Sequence, residues 1–149
     1  TEEVINYDLV KEQILIAAGV PISGKDHYPT KHAIECRINA EDIHNNFRPS
    51  PGKITQLNRP GGHGVRVDTH IYAGYTIPPY YDSMIGKIIV HGDTREEALA
   101  RMRTALAETA VEGININIAL HRELMVDPKF MDGGTNIHYL EEWLSKRQR

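Results

Sequence analysis

The segment His32 to Asn39 alternates between apolar and polar side chains, and it restricts the fold more than any other local pattern in the chain. Successive side chains of an extended strand point to opposite faces, so this period of two predicts a strand. One face carries Ile34, Cys36 and Ile38, and the other carries Glu35, Arg37 and Asn39. The pattern is typical of a half-buried antiparallel strand with one wet face. It leaves two interpretations of Arg37 open: a solvated side chain, or a cation that same-face carboxylate or amide neighbours hold in a cleft.

Three further short strands are predicted, and glycine and proline residues separate them. They cover Lys53 to Leu57, Val65 to Ile71 and Ile85 to His91. The last of these is apolar on both sides, which indicates a strand that is buried on both faces. The connection Tyr72 to Asp82 contains too many prolines for a central strand. Short strands with such turns favour an antiparallel sheet.

Helical periodicity dominates the last third of the chain and also marks one early segment. Thr94 and Glu97 have the spacing of a capping box, in which each side chain bonds the free backbone amide of the other residue. The last helix is expected to carry Ile137. Helices are predicted over about Asp8 to Ala18, from Thr94 to a stop at Gly113, over Ile118 to Val126, and after Gly133 to Asn136. Strands first and helices afterwards predict an α+β fold, an antiparallel β-sheet with packed helices.

The composition excludes several classes of function. The 149 residues carry a formal net charge of −3, which offers no broad basic surface for nucleic acid. No apolar run approaches the roughly 18 to 20 residues that a membrane span needs. The single cysteine cannot form an internal disulfide, which fits a reducing compartment. We therefore expect a soluble, cytoplasmic protein that binds neither nucleic acid nor membrane.

The sequence contains no common catalytic motif. The eight histidines do not have the spacing of a zinc site, so no metal site is predicted. Cys36 lies on the apolar side of its strand, which indicates an inert core thiol rather than a nucleophile. The segment Gly133 to Asn136 precedes a helix, and both helix capping and contact with a ligand remain open for it. From the residues alone, the sequence predicts an α+β domain with one arginine of interest and no named reaction.

Five motifs, in order along the chain, carry a resemblance to a known family. They are Glu35 to Asp42 (ECRINAED), Pro49 to Ile54 (PSPGKI), Gly61 to Arg66 (GGHGVR), Tyr80 to Lys87 (YYDSMIGK) and Gly133 to Leu140 (GGTNIHYL). With these motifs in register over essentially its whole length, residues 1–149, the chain resembles the C-terminal domain of biotin carboxylase. It departs from the family pattern at residues 5–7, 42–46 and 115–117.

The resemblance implies a part in the ATP- and bicarbonate-dependent carboxylation of biotin. In this family ATP activates bicarbonate, and the N1′ atom of biotin on a biotin carboxyl carrier protein captures the resulting CO2. Negative charge then develops on the ureido oxygen of biotin, and a nearby guanidinium stabilises it. By resemblance, Arg37 is this catalytic and biotin-binding residue. The reaction is the first half-reaction of acetyl-CoA carboxylase, in fatty acid biosynthesis, or of a related acyl-CoA carboxylase, and a carboxyltransferase performs the second.

The resemblance also implies roles for four other residues. Ile137 and His138 correspond to ATP-binding positions, with Ile137 against the adenine; from the residues alone, Ile137 can equally be a core residue. His63 and Arg66 lie where the family forms its homodimer. The Mg²⁺ ligands and the phosphate- and bicarbonate-binding loops of the family belong to its N-terminal and ATP-grasp domains, which we expect to lie outside this chain. Because phosphoryl transfer needs those groups, we expect the chain alone to be inactive.

An alternative interpretation of the same fold is a non-catalytic dimerisation or binding module. Such a module would not need Arg37, and it would depend on the surface around His63 and Arg66. A reversed charge at Arg66 would test that surface, because a residue at a two-fold self-contact meets its own copy.

Overall fold

Short antiparallel strands and the helices that pack against them make up the protein. The computed structural model describes residues 1–22 and 24–147. Its helices are α1 (Glu2–Ile5), α2 (Leu9–Ala17), α3 (Arg95–Glu108), α4 (Ile118–Leu124), α5 (Pro128–Asp132) and α6 (Tyr139–Arg147). Its strands are β1 (His32–Asn39), β2 (Glu41–Asp42), β3 (Arg48–Pro49), β4 (Gly52–Lys53), β5 (Gln56–Asn58), β6 (Val65–Thr69), β7 (Thr76–Ile77), β8 (Met84–Gly92) and β9 (Ala110–Glu112). The predicted α+β class is confirmed.

A three-stranded antiparallel sheet in the order β1–β8–β6 forms the centre of the fold. The middle strand, β8, has buried apolar side chains on both faces, as its sequence predicts. β1 has the predicted bounds, and its apolar side is buried while Glu35 and Arg37 are exposed. Arg37 lies opposite Lys87, and Lys87 lies opposite Asp68. Arg37, Lys87 and Asp68 thus form a charged row across the outward face of the sheet.

The inward face of the sheet packs against α3. Thr94 Oγ1 accepts a hydrogen bond from the Glu97 amide at 3.2 Å, and the Glu97 carboxylate accepts one from the Asp93 amide at 3.0 Å. The predicted capping pair therefore forms, with its return bond one residue earlier than the motif predicts. The buried stripe of α3 consists of Ala98, Leu99, Met102, Ala105 and Leu106. Together with the inward side chains of β1 and β8, it makes the hydrophobic core.

The C-terminal end of α3 differs from the prediction. The helix ends at Glu108 rather than at Gly113, and the following residues form β9, which pairs with β5. Thr109 already has an extended backbone, and the β-branched Val111 lies opposite Leu57 in the pair. The prediction was wrong because helical periodicity is a local signal, whereas the partner strand of β9 is distant in the sequence.

The predicted strand Lys53 to Leu57 is in fact two strands with different partners. β4 pairs with β7, and β5 pairs with β9. Between them Ile54 is completely buried, and its amide donates to the Tyr75 carbonyl at 2.9 Å. Because Ile54 enters the core at this point, the segment cannot continue as one flat strand. β6 likewise ends at Thr69, and Ile71 beyond it is buried outside any strand.

The early and middle helices agree with the sequence only in part. Asp8 caps α2 as predicted, and its Oδ1 atom accepts a hydrogen bond from the Lys11 amide at 2.9 Å. α1 was not predicted, and α4 ends at Leu124 rather than at Val126. Over residues 1–22 and 24–147, no helix is both long enough and apolar enough to span a bilayer.

Asp127 joins the last two helices, α5 and α6. Its carboxylate accepts hydrogen bonds from the Phe130 amide at 3.1 Å, from the Tyr139 hydroxyl, and from the Trp143 indole at 3.1 Å. These donors, the Tyr139 hydroxyl above all, lower the pKa of Asp127. α5 was not predicted from the sequence, because its five residues are too few to show helical periodicity.

Candidate functional site

The guanidinium of Arg37 is a free cation on the outward face of the sheet. Glu35 is the preceding residue on that face, and Lys87 lies directly opposite on β8. Within the described residues, neither a hydrogen bond nor an ion pair joins the Arg37 guanidinium to another group. The structure therefore supports the interpretation of a solvated side chain and not that of a cation held by same-face neighbours. Since a guanidinium stays protonated at any working pH, Arg37 presents an unpaired positive charge.

The backbone of Arg37, in contrast, is held by residues at the start of α4. β1 is an edge strand of its sheet, so one side of its backbone has no neighbouring strand to bond. The Arg37 carbonyl accepts hydrogen bonds from Asn117 Nδ2 at 3.0 Å and from His121 Nε2 at 2.8 Å. Asn117 also bonds the backbone of Asn39, accepting from its amide at 2.9 Å and donating to its carbonyl at 3.1 Å. Four hydrogen bonds thus connect α4 to this part of β1.

Sequence reasoning missed both of these residues. The signal that could have found them is their spacing, because side chains one helical turn apart lie on the same face of a helix. Burial lowers the pKa of His121, and its hydrogen bond to the Arg37 carbonyl opposes that change in part. Because a carbonyl oxygen only accepts hydrogen bonds, His121 Nε2 carries the hydrogen.

The C-terminal end of β1 is also joined to the segment before β8. Glu41 Oε1 accepts hydrogen bonds from Ser83 Oγ and from Asn39 Nδ2, the latter at 3.2 Å. The Ala40 amide donates to the Ser83 carbonyl at 2.8 Å. Asn39 Oδ1 is buried, and no group of the described chain bonds it. Two of the five sequence motifs therefore meet beside Arg37.

Arg66 binds three carboxylates of its own chain. Its Nε and Nη2 atoms donate to the two oxygens of Asp68, each at 2.9 Å, while Nη1 donates to Glu2 at 2.7 Å and to Glu3 at 3.4 Å. The hydrogen bonds that Arg66 donates to Asp68 and Glu2 raise the pKa of Arg66, and the bond from Arg66 lowers the pKa of Glu2. This network connects α1 to the outward face of the sheet, so Arg66 has a role within the fold.

His63 is linked to the same network through His91. His91 Nδ1 lies 2.9 Å from the Glu3 carboxylate, and the rings of His63 and His91 meet edge to face with centroids 6.2 Å apart. The His63 side chain is exposed. The two residues predicted for a homodimer contact, His63 and Arg66, therefore lie close together on one surface. Their role in a dimer stays a prediction.

Ile137 and His138 lie in the loop between α5 and α6. The prediction that the last helix carries Ile137 is wrong, because α6 begins at Tyr139. Ile137 is 90% exposed, which also excludes its interpretation as a core residue. The Asn136 side chain accepts a hydrogen bond from the His138 amide at 2.9 Å, which closes a turn just before α6 begins. The capping and ligand-contact interpretations of this segment both stay predictions. In the described part of the chain, no hydrogen bond or ion pair joins this loop to Arg37.

Arg95 fixes the start of the loop that carries Ile137. Its Nε atom donates to the Met131 carbonyl at 3.0 Å, its Nη2 atom donates to the Phe130 carbonyl, and its guanidinium lies 5.3 Å from the centre of the Phe130 ring. Gly133 follows with φ of +85°, a conformation that other residues rarely adopt. The base of the loop is therefore held by Arg95, and its exposed tip is the side chain of Ile137.

The described residues contain neither a metal centre nor an activated thiol. No group of three or more His, Cys, Asp or Glu side chains among residues 1–22 and 24–147 is arranged to hold a metal ion. The Mg²⁺ that the resemblance implies therefore has no such set of ligands among these residues. Burial raises the pKa of Cys36 to about 12, which disfavours the reactive thiolate and supports an inert core thiol.

Comparisons with known proteins give the chain its class. The family model for the biotin carboxylase C-terminal domain matches residues 35–142. The biotin carboxylase of Haemophilus influenzae is 57% identical over 150 aligned residues, which cover 99% of this chain and 33% of that protein. A solved biotin carboxylase subunit of pyruvate carboxylase matches with a TM-score of 0.91 at 43% identity, over 97% of this chain and 32% of that one.

A third match is a ligand complex. It is the biotin carboxylase domain dimer of Hydrogenobacter thermophilus 2-oxoglutarate carboxylase, solved with magnesium ADP, ADP and bicarbonate. The TM-score is 0.88 at 44% identity, over 95% of this chain and 32% of that one. The fold thus defines a domain of a carboxylase. The chain belongs to the biotin carboxylase C-terminal domain family, and it spans about a third of the length of the relatives that it matches.

Proposed function

We propose that this chain supplies the catalytic arginine of a biotin carboxylase, the ATP- and bicarbonate-dependent ligase that carboxylates biotin on its carrier protein. The observation that carries the proposal is the unpaired guanidinium of Arg37 on a strand whose backbone is held in place. A guanidinium without a carboxylate partner keeps its N–H donors for a substrate. Membership of the family supplies the class of reaction.

The chemistry assigned to Arg37 is stabilisation of negative charge on biotin. When a base from outside this chain takes the N1′ proton, negative charge spreads onto the ureido oxygen. The N1′ electron pair then forms a bond to the carbon of CO2, and one C=O electron pair moves onto oxygen to give the carboxylate. Hydrogen bonds from Arg37 to the ureido oxygen stabilise the charge that develops there. Arg37 itself is not the base, because a guanidinium does not release its proton in proteins.

The ATP-dependent step needs groups from other domains. Ile137 offers an exposed apolar side chain suited to a flat adenine ring, and we assign ATP contact to Ile137 and His138. Phosphoryl transfer also needs metal ions and a phosphate-binding loop. We propose that residues 1–149 are the C-terminal domain, that N-terminal and ATP-grasp domains supply those groups with Mg²⁺, and that the chain alone is inactive.

The proposed assembly is a cytoplasmic homodimer in an acetyl-CoA carboxylase system. His63 and Arg66 would lie at the two-fold contact, while a biotin carboxyl carrier protein and a carboxyltransferase would be the other partners. A dimer of a related domain supports the homodimer. The acceptor is assigned as acetyl-CoA or a related acyl-CoA, and relatives named biotin carboxylase, such as that of Haemophilus influenzae at 57% identity, support the biotin-carboxylating part of the system.

A chimeric enzyme tests the role of Arg37. In it, this chain replaces the matching third of the Haemophilus influenzae biotin carboxylase, and carboxylation of free biotin is measured with ATP and bicarbonate. Arg37→Ala should lower biotin carboxylation at least about 10²-fold, the usual scale for losing one oxyanion-type donor. The matched control is Arg48→Ala, because Arg48 is another exposed arginine on a strand edge.

Bicarbonate-dependent ATP cleavage without biotin separates two kinds of loss in the same chimera. It should change much less than carboxylation in the Arg37→Ala enzyme, because Arg37 acts on biotin. Unchanged carboxylation would refute the catalytic role and leave the non-catalytic module as the better interpretation. An equal loss of both activities would show that Arg37 supports the whole site rather than biotin alone.

A further inference from the structure

Asn117 occupies an unusual environment for a polar residue. In the part of the chain that the structure describes, it is the one polar residue whose surface is almost wholly buried, with 5% exposed. A buried amide is costly unless its donors and acceptor are bonded. Its side chain and amide make three hydrogen bonds, all of them to the backbone of Arg37 and Asn39. The buried amide is therefore matched to this one stretch of β1.

His121 repeats the contact from the next turn of α4. Its Nε2 atom lies 2.8 Å from the same Arg37 carbonyl that Asn117 bonds, so one oxygen receives two donors. A carbonyl has two lone pairs, and both are used here. Neither donor touches the guanidinium. The two side chains thus act on the main chain of Arg37 and leave its side chain free.

This arrangement matters because the Arg37 guanidinium forms neither a hydrogen bond nor an ion pair with the described residues. The backbone of β1 then determines the position from which the Arg37 side chain extends. An edge strand that is not bonded on its outer side can shift or fray. Catalytic groups need placement within about 0.5 Å, and an error of 1 Å can cost about 10²-fold in rate.

We propose that Asn117 and His121 are positioning residues for Arg37. They replace the missing neighbour strand of β1, fix the Arg37 backbone, and so set the reach of the guanidinium toward the ureido oxygen of biotin. The proposal rests on the proposed function of Arg37. A purely structural role of α4 would instead affect all activities and stability alike.

Three variants of the chimeric enzyme separate the two roles. Asn117→Ala and His121→Leu remove donors to the Arg37 carbonyl, whereas His121→Gln keeps an N–H donor of similar reach. Arg122→Gln is the matched control, because Arg122 bonds the Leu106 carbonyl at 3.1 Å and joins α4 to α3 without contact to β1. Each variant is measured for biotin carboxylation, for bicarbonate-dependent ATP cleavage without biotin, and for thermal unfolding.

The expected result is a selective loss. Asn117→Ala and His121→Leu should lower kcat for biotin carboxylation about 10- to 100-fold, with less than about a 2-fold change in ATP cleavage. His121→Gln should restore most of the loss, and Arg122→Gln should affect unfolding without a selective effect on carboxylation. Because the effect acts through Arg37, neither substitution should lower carboxylation further in an Arg37→Ala background.

Several results would overturn the proposal. One is equal loss of carboxylation and ATP cleavage in Asn117→Ala and His121→Leu, and another is a full additional loss on top of Arg37→Ala. If Asn117→Ala fails to fold, the comparison of His121→Leu with His121→Gln decides alone, and equal activity of these two refutes positioning by His121. Unchanged carboxylation in Arg37→Ala would refute the proposed function itself, which is a separate outcome.

Discussion

Gly113 lies in a turn that packs closely against the segment between β4 and β5, and substituting it gives a quantitative test of that contact. Gly113 has φ of +97°, and a Cβ atom built there would lie 2.1 Å from the Lys53 carbonyl oxygen and 3.1 Å from the Thr55 amide nitrogen. Alanine would cost about 1 to 2 kcal/mol for the backbone conformation. Displacing the backbone of Lys53 and Thr55 in this well-packed site would cost about 1 to 3 kcal/mol more. Gly113→Ala should therefore lower the free energy of unfolding by about 2 to 5 kcal/mol.

Gly74 provides a matched control for this substitution. Its φ is +95°, nearly that of Gly113, but no atom lies within 4 Å of a Cβ built there. Gly74→Ala should cost only the conformational part, about 1 to 2 kcal/mol. Urea denaturation followed by circular dichroism measures both, and with a slope of about 2 kcal/mol per M the Gly113→Ala midpoint should fall about 1 to 2.5 M. Equal midpoints for the two variants would refute the close approach to Lys53.

Three further predictions follow from the described contacts. Because hydrogen bonds lower the native pKa of Asp127 below its ordinary 3.8, they stabilise the fold above that pH and are lost as the pH falls through the native pKa. Asp127→Asn should therefore lower the urea midpoint at pH 7 and flatten its fall toward pH ~2. Cys36, with its pKa raised to about 12, should resist iodoacetamide at pH ~8 in the native chain and react once denatured, as mass spectrometry would show. Arg66→Glu should place a carboxylate against Glu2 and Asp68, release α1 to limited proteolysis, and lower the mass of the chimeric dimer in light scattering.

The parts of the fold that the sequence predicts are those with a strong local cause. The alternation of β1 produces a strand with the predicted bounds, because each residue's face follows from its neighbours. Thr94 and Glu97 begin α3 through bonds within one turn. The position of Arg37 on the polar face of β1 was predicted in the same way, whereas the choice between a solvated and a held side chain was left open.

The parts that the sequence did not predict depend on partners far along the chain. α3 ends early because the residues after it form β9, which pairs with β5. The segment around Ile54 turns because the Ile54 side chain enters the core. The spacing of Asn117 and His121 places them on one face of a helix, but it does not identify Arg37 as their partner, since about 80 residues separate them from it and a local pattern cannot report such a contact. Ile137 was placed in a helix because the sequence predicts a helix directly after Asn136, whereas α6 begins only at Tyr139.

The sequence by itself determined the class of this protein, its α+β content and the outward-facing Arg37, because motifs, composition and face alternation are properties of neighbouring residues. The tertiary structure decided that the Arg37 guanidinium has no ion-pair or hydrogen-bond partner among residues 1–22 and 24–147, while its backbone is bonded by Asn117 and His121. It also decided that Arg66 binds three carboxylates of its own chain. The pairing of a charge, the burial of a side chain and long-range hydrogen bonds are decided only when distant segments pack together. Local sequence patterns therefore cannot predict them.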